Sequence, residues 1–166
     1  MIDRRHAVRL ALAALPAACL APAARAQQSF QRFVPSLIDL PGWKGNKPDG
    51  MTLEMAGGSM ITATRAYERG EARLNASVLT GMAAQGALAA TSAGIKIETA
   101  DMHIITATMD GFQVTKTYTV SNKAGAIMVA LGPAAVFTLT FNNIPEDEAV
   151  TLARKFDWKA MQAQAK

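Results

Sequence analysis

His103, Lys116 and Tyr118 are the residues whose types and spacing could do acid–base chemistry together. Asp110-Gly111 sits between two β-prone arms, Met102–Met109 and Phe112–Val120. A two-residue Asp-Gly loop favours the turn whose twist matches a hairpin. Such a loop pairs Met109 with Phe112, Ala107 with Val114, Ile105 with Lys116 and His103 with Tyr118. Side chains alternate across a strand, so all eight share one face. The opposite face carries Thr106, Thr108, Gln113, Thr115, Thr117 and Thr119 and is the wetter one. An imidazole on the apolar face could give or take a proton near neutral pH, and Lys116 beside it could hold an anion. The plainer reading is structural. His103 lies near a strand end, Lys116 snorkels to an edge, and Tyr118 packs with its hydroxyl wet. A lone histidine specifies no reaction, so the plainer reading is preferred.

Methionine is the second candidate chemistry. Eight methionines follow residue 26: Met51, Met55, Met60, Met82, Met102, Met109, Met128 and Met161. Thioethers bind Cu(I), and Met102-His103 beside Asp101 could join such a site. The eight are scattered along strands and helices without a Met-x-x-Met cluster, and Met commonly fills irregular cores. Core packing is the expectation for them, and neither a metal nor a cofactor is expected.

Other signatures are missing from the chain. It has no Gly-x-Ser-x-Gly, no His-Glu-x-x-His, no phosphate-cradling glycine loop and no EF-hand spacing. Arg65, Arg69 and Arg73 could form a short basic strip. Glu68 and Glu71 interrupt it and no aromatics interleave, so nucleic acid is not the expected partner.

The elements that must position these residues follow from periodicity and turn chemistry. Residues 27–50 read as a lead-in punctuated by Pro35, Pro41, Gly42, Gly45, Pro48 and Gly50, with Trp43 folding back onto the domain and Pro48-Asp49-Gly50 as a turn. Met51–Met55 is a weak strand. Ser59–Glu68 and Glu71–Leu79 flank Arg69-Gly70 as a hairpin. Thr80–Ala93 reads as a helix that Gly94 would cap, and Ile95–Glu98 as a short strand. Ala124–Leu131 and Ala134–Phe141 make another pair around Gly132-Pro133. The last element is a single helix with Pro145 in its first position and Glu146, Asp147 and Glu148 where the helix dipole favours anions. Ala149, Leu152, Ala153, Phe156 and Ala160 form its apolar stripe.

The expected class is therefore α+β: a mostly antiparallel sheet of about seven strands, one inserted helix and a C-terminal helix packed on it. This order of elements, with its Pro-Gly-Trp lead-in and closing helix, resembles the PsbP-like domains of exported and lumenal accessory proteins. The resemblance spans most of residues 33–160 and rests on layout alone. It implies a largely non-enzymatic protein that docks to larger assemblies, and it transfers no functional residue.

The N-terminus supplies an address. Met1–Arg9 is basic, Leu10–Ala24 is apolar, and Ala24-Arg25-Ala26 is a small-x-small triplet before Gln27. That is the layout of a secretory signal peptide, cut after Ala26. Arg4-Arg5 partly matches a twin-arginine signal, with Ala7 where a bulky apolar residue is usual, and general export is the alternative. Cys19, the only cysteine, follows Pro16-Ala17-Ala18, a partial lipidation box in which Pro16 takes the usual Leu position.

Charge follows the same division. Residues 1–26 carry four arginines against one aspartate, whereas the remaining 140 hold 13 Lys+Arg against 12 Asp+Glu. The net charge of +4 thus belongs mostly to the segment expected to be removed, and the rest is nearly neutral and free of thiols. Residues 27–166 are expected to be one domain, periplasmic or secreted, with no membrane span in the mature form. Its expected role is a non-catalytic binding or accessory module for an unidentified protein or small-molecule ligand of the cell envelope. A small enzyme or copper-handling protein centred on His103 is the alternative.

Overall fold

The computed structural model of the chain describes residues 30–56, 58–91, 94 and 96–166. The segment expected to be an export signal, with Arg4-Arg5 and Cys19, lies outside the described residues, as does Ile95. A 3-10 turn at Val34–Ser36 leads in. Nine strands follow: β1 (Lys44–Gly45), β2 (Asp49–Met55), β3 (Gly58–Arg69), β4 (Ala72–Thr80), β5 (Lys96–Glu98), β6 (Met102–Met109), β7 (Phe112–Thr119), β8 (Ala124–Gly132) and β9 (Ala135–Asn142). Helix α1 (Met82–Thr91) lies between β4 and β5, and α2 (Glu146–Ala153) and α3 (Trp158–Gln164) close the chain. No helix among the described residues is long and apolar enough to cross a membrane.

All nine strands form one antiparallel sheet in the order β1-β3-β4-β9-β8-β7-β6-β5, with β2 beside β1 on the same edge of β3. The chain builds β2, β3 and β4 as a meander and crosses through α1 to the far edge. It then meanders back from β5 to β9, which pairs with β4. Short hairpins enforce antiparallel neighbours, and α1 is the one long crossover.

The α+β class and antiparallel sheet are as expected, but the strand count is nine rather than about seven. Part of the excess is β1, a two-residue pairing of Lys44 and Gly45 with Glu68 and Tyr67 inside what reads as loop. Two residues are too few to show alternation. Asp49 and Gly50 open β2 instead of completing a turn. Gly50 is needed there because a Cβ would sit 2.5 Å from the Thr62 carbonyl and 2.6 Å from the Phe30 ring.

One face of the sheet carries the main core. Leu74, Ala76 and Val78 of β4, Phe137, Leu139 and Phe141 of β9, Ile127 and Val129 of β8, and Val114 of β7 are buried. Phe33, Leu37, Leu40 and Trp43 from the lead-in cover them, with Leu152, Phe156, Trp158 and Met161 from the C-terminal region. Phe156 packs at 5.0 Å from Phe137 and edge-on to Tyr67 at 6.4 Å. Helix α1 packs against β3, β4 and β9. Ala84 and Val136 are fully buried yet lie outside the main cluster. Val136 neighbours Phe137 along β9, so it points to the opposite face, and α1 covers a part of that face.

Two helix expectations are corrected. The inserted helix starts at Met82, because Thr80 still pairs with Ile61 and Gly81 makes the corner with φ +86°. A Cβ at Gly81 would meet the Ser59 carbonyl at 2.2 Å. The terminal helix is broken in two. Pro145 is the N-cap of α2 rather than its first residue, and α2 ends at Ala153. Asp157 then caps α3 by accepting a hydrogen bond from the Ala160 N–H at 2.9 Å. The interruption re-phases the stripe, so Met161 is buried and Ala160 is not fully covered.

Candidate functional site

Strands β6 and β7 pair in the expected register, with His103 opposite Tyr118, Ile105 opposite Lys116 and Met109 opposite Phe112. Asp110 and Gly111 have φ of 51° and 86°, as a hairpin turn with matching twist requires. His103, Lys116 and Tyr118 therefore do share the core-side face.

A fourth residue organises them. Glu146, the first residue of α2, reaches down to the sheet. Its Oε1 accepts a hydrogen bond from Lys116 Nζ at 2.8 Å, and its Oε2 lies 3.7 Å from His103 Nδ1. The Lys116 and Glu146 side chains are only 23% and 22% exposed. Sequence reasoning placed Glu146 at a helix N-terminus and stopped at the dipole. The signal that could have found it is charge balance, since an apolar face holding one lysine needs a carboxylate from whatever element covers it.

Tyr118 takes a different role. Its ring is 6.4 Å from His103, and on the other side it stacks on Phe141 at 6.2 Å with 24° between the planes. Gly125 of β8 lies between these two aromatics in the ladder, paired with both. A Cβ there would be 2.0 Å from the Thr117 carbonyl and 2.9 Å from Phe141 Cζ. The glycine is what lets the rings close over the strand.

Chemically, the arrangement is a carboxylate shared between an ammonium and an imidazole. Four cavities among the described residues lie elsewhere. One of ≈ 280 Å³ is lined by Tyr67, Arg73 and Asn142, and another of ≈ 320 Å³ by Asp110, Arg154 and Trp158. A third of ≈ 260 Å³ is lined by Leu131, Pro133 and Gln162, and a fourth of ≈ 490 Å³ by Phe30, Val34 and Lys47. None of the four includes His103, Lys116 or Tyr118.

The short basic strip that Arg65, Arg69 and Arg73 could have formed is not present, in line with the interruption by Glu68 and Glu71. Arg65 and Arg69 point to the core side, and Arg73 lies opposite Glu68 on the other face. Arg65 donates to the carbonyls of Leu37 (2.7 Å) and Asn46 (2.8 Å) and pairs with Asp39. Arg69 stacks 4.3 Å from the centre of the Trp43 ring and pairs with Glu148 at 2.6 Å. Both guanidiniums bind the domain's own lead-in and helix.

The Met102-His103-Asp101 grouping also fails. Met102 and His103 are consecutive in β6 and point to opposite faces. The Asp101 carboxylate accepts hydrogen bonds from the Ser121 N–H and hydroxyl at 2.9 and 3.2 Å. Among the described residues no group of three or more His, Cys, Asp or Glu side chains could hold a metal ion. Core packing holds for Met161 and Met109. It does not hold for Met51, Met55 and Met82, which are exposed.

No protein-family model, no curated protein and no solved structure matches this chain.

Proposed function

We propose that the chain is an exported, non-catalytic binding or accessory module of the cell envelope. One observation carries this reading: Glu146 engages Lys116 by a hydrogen bond and lies beside His103, so the residues best suited to acid–base work fasten α2 to the sheet. A general base needs a substrate proton within hydrogen-bond reach. Here the imidazole faces the helix carboxylate and borders none of the four cavities described above. The resemblance of the sequence's element order to the PsbP-like accessory domains and its signal-like first 26 residues support this reading.

The test is a turnover assay of the purified protein on a broad panel of esters, phosphates and glycosides, with His103→Ala alongside. The expected result is no turnover by either form. Turnover that disappears in His103→Ala would replace this reading with a small enzyme centred on that histidine.

A further inference from the structure

We propose that Met55, Met60 and Met82 form a thioether site for Cu(I). The inference names a ligand for the binding module proposed above, so it rests on that reading, and it places the ligand far from His103 in the sequence and on the other face of the sheet.

The register sets two of these side chains on one face. Met60 of β3 lies opposite Leu53, and Met55 lies opposite Gly58. Met55 and Met60 therefore point to the same face, as a diagonal cross-strand pair about 7–8 Å apart at Cα, within reach of long side chains. That face is the one away from the main core, because Ile61 and Ala63 alternate with Met60 and are buried on the other side. Met82 follows the end of β4, the strand on the side of β3 away from β2. The glycine before it, Gly81, is close enough for a Cβ to lie 3.3 Å from Met60 Cα. Two glycines thus stand between the three methionines, one opposite Met55 and one beside Met60. A Cβ on Gly58 would meet nothing within 4 Å, so the space over it is open.

Exposure separates Met55 and Met82 from core filler. Met55 is 46% and Met82 49% exposed, although Met is a residue that ordinarily fills interior gaps. A cluster of exposed apolar side chains on one surface marks a site of interaction. Unbranched Met also has no special fitness for strand surfaces, where β-branched residues pack better. What Met supplies, and Val or Leu does not, is a soft sulfur donor, and soft thioethers select Cu(I) over harder divalent ions. In an oxidising compartment thiolates are lost to disulfides, whereas thioethers cannot form them.

The experiment titrates the full chain carrying Cys19→Ser, so that its one thiol cannot compete, with Cu(I) under anaerobic conditions against a chromophoric Cu(I) chelator. One Cu(I) per chain is expected. Met55→Leu, Met60→Leu and Met82→Leu should each weaken binding at least tenfold, while Met102→Leu and Met128→Leu leave it unchanged. Leu conserves volume while removing the sulfur. As a second readout on a chain with all methionines intact, ¹³C-methyl methionine spectra should show Met55, Met60 and Met82 shifting on Cu(I) addition. Failure to retain Cu(I), binding that survives Met60→Leu, or binding abolished by His103→Ala would each overturn the proposal. The turnover panel is a separate measurement, so failure of the copper site and failure of the non-catalytic reading are told apart.

Discussion

Lys116 Nζ sits 2.8 Å from Glu146 Oε1, joining the middle of β7 to the first residue of α2. It is one of three ties that fix this helix over the sheet. Arg69 of β3 holds Glu148, and Arg154, just past the helix, grips Asp110 in the β6–β7 turn with two hydrogen bonds of 2.9 and 3.0 Å. The Arg69 and Arg154 pairs are largely solvated and individually weak. The Lys116 pair is the sheltered one, and its loss would leave a charge largely shielded from water.

Glu146→Gln should therefore destabilise the fold more than Lys116→Met. The glutamine keeps an acceptor for Lys116 but leaves the ammonium without a counter-charge, at a cost of about 1–2 kcal/mol. Methionine in place of Lys116 lays an unbranched apolar chain on an apolar face and should cost less. Urea midpoints at neutral pH rank the two, and the reverse order would show that the pair does not secure the helix.

Arg65→Lys should loosen the lead-in even though charge is kept. The guanidinium reaches the carbonyls of Leu37 and Asn46 and the Asp39 carboxylate at once. A single ammonium cannot reproduce that fork. Gly45 belongs to the same arrangement, since a Cβ there would lie 2.8 Å from Arg65 Nη2. The expected loss is about 1–2 kcal/mol, with faster tryptic cleavage after Lys44. Unchanged cleavage would place the lead-in's anchorage in Trp43 and Leu37 alone.

How much of this was legible in the sequence varies by element. The β6–β7 hairpin could be read to the residue because Asp-Gly permits one turn geometry, and that geometry sets every cross-strand pair. The face shared by His103, Lys116 and Tyr118 came with it. Glu146 did not, because its contact depends on how α2 lies across the sheet, and no local rule fixes a helix's position on a sheet. The break at Asp157 was hidden for a related reason: Phe156 fits the helical stripe of α2 while its neighbour Trp158 is buried edge-on against Phe112 at 5.9 Å. The methionines looked scattered along the chain, and only the β2–β3 register puts Met55 and Met60 on one face, with the Gly81 corner bringing the start of α1 beside Met60.

Gly125→Ala should be among the most damaging single-methyl changes in the domain. The added carbon would overlap the Thr117 carbonyl at 2.0 Å and press on Phe141. Relief requires moving β7 away from β8 or unstacking Tyr118 from Phe141. A loss of about 3 kcal/mol is expected, at the upper end for overpacking. Thermal melts measure it, and a loss within experimental error would mean that the strands can part freely here.

Tyr67 supplies the pH dependence. Its hydroxyl donates to the Ile38 carbonyl at 2.7 Å, and the residue is fully buried. Burial pushes the phenol up to about 12, with the Arg65 guanidinium drawing it down and the Asp39 carboxylate adding to the rise. In the unfolded chain the phenol ionises near its usual value of about 10. Because the folded value is the higher, the stability contributed by the neutral phenol is complete below pH 10. It drains away as pH rises from 10 towards 12, by up to about 2–3 kcal/mol. The chain has two tyrosines, so Tyr118→Phe leaves Tyr67 as the one phenol. Its tyrosinate absorbance should then rise near pH 12 in the folded protein and near 10 in denaturant. Tyr67→Phe loses the bond to Ile38 and should be about 1 kcal/mol less stable at neutral pH. It escapes the alkaline loss, however, so the order of stability between it and the unaltered chain should reverse above pH 11. A folded-state transition near pH 10 in Tyr118→Phe would mean that water reaches the Tyr67 hydroxyl and that the lead-in does not seal this edge of the core.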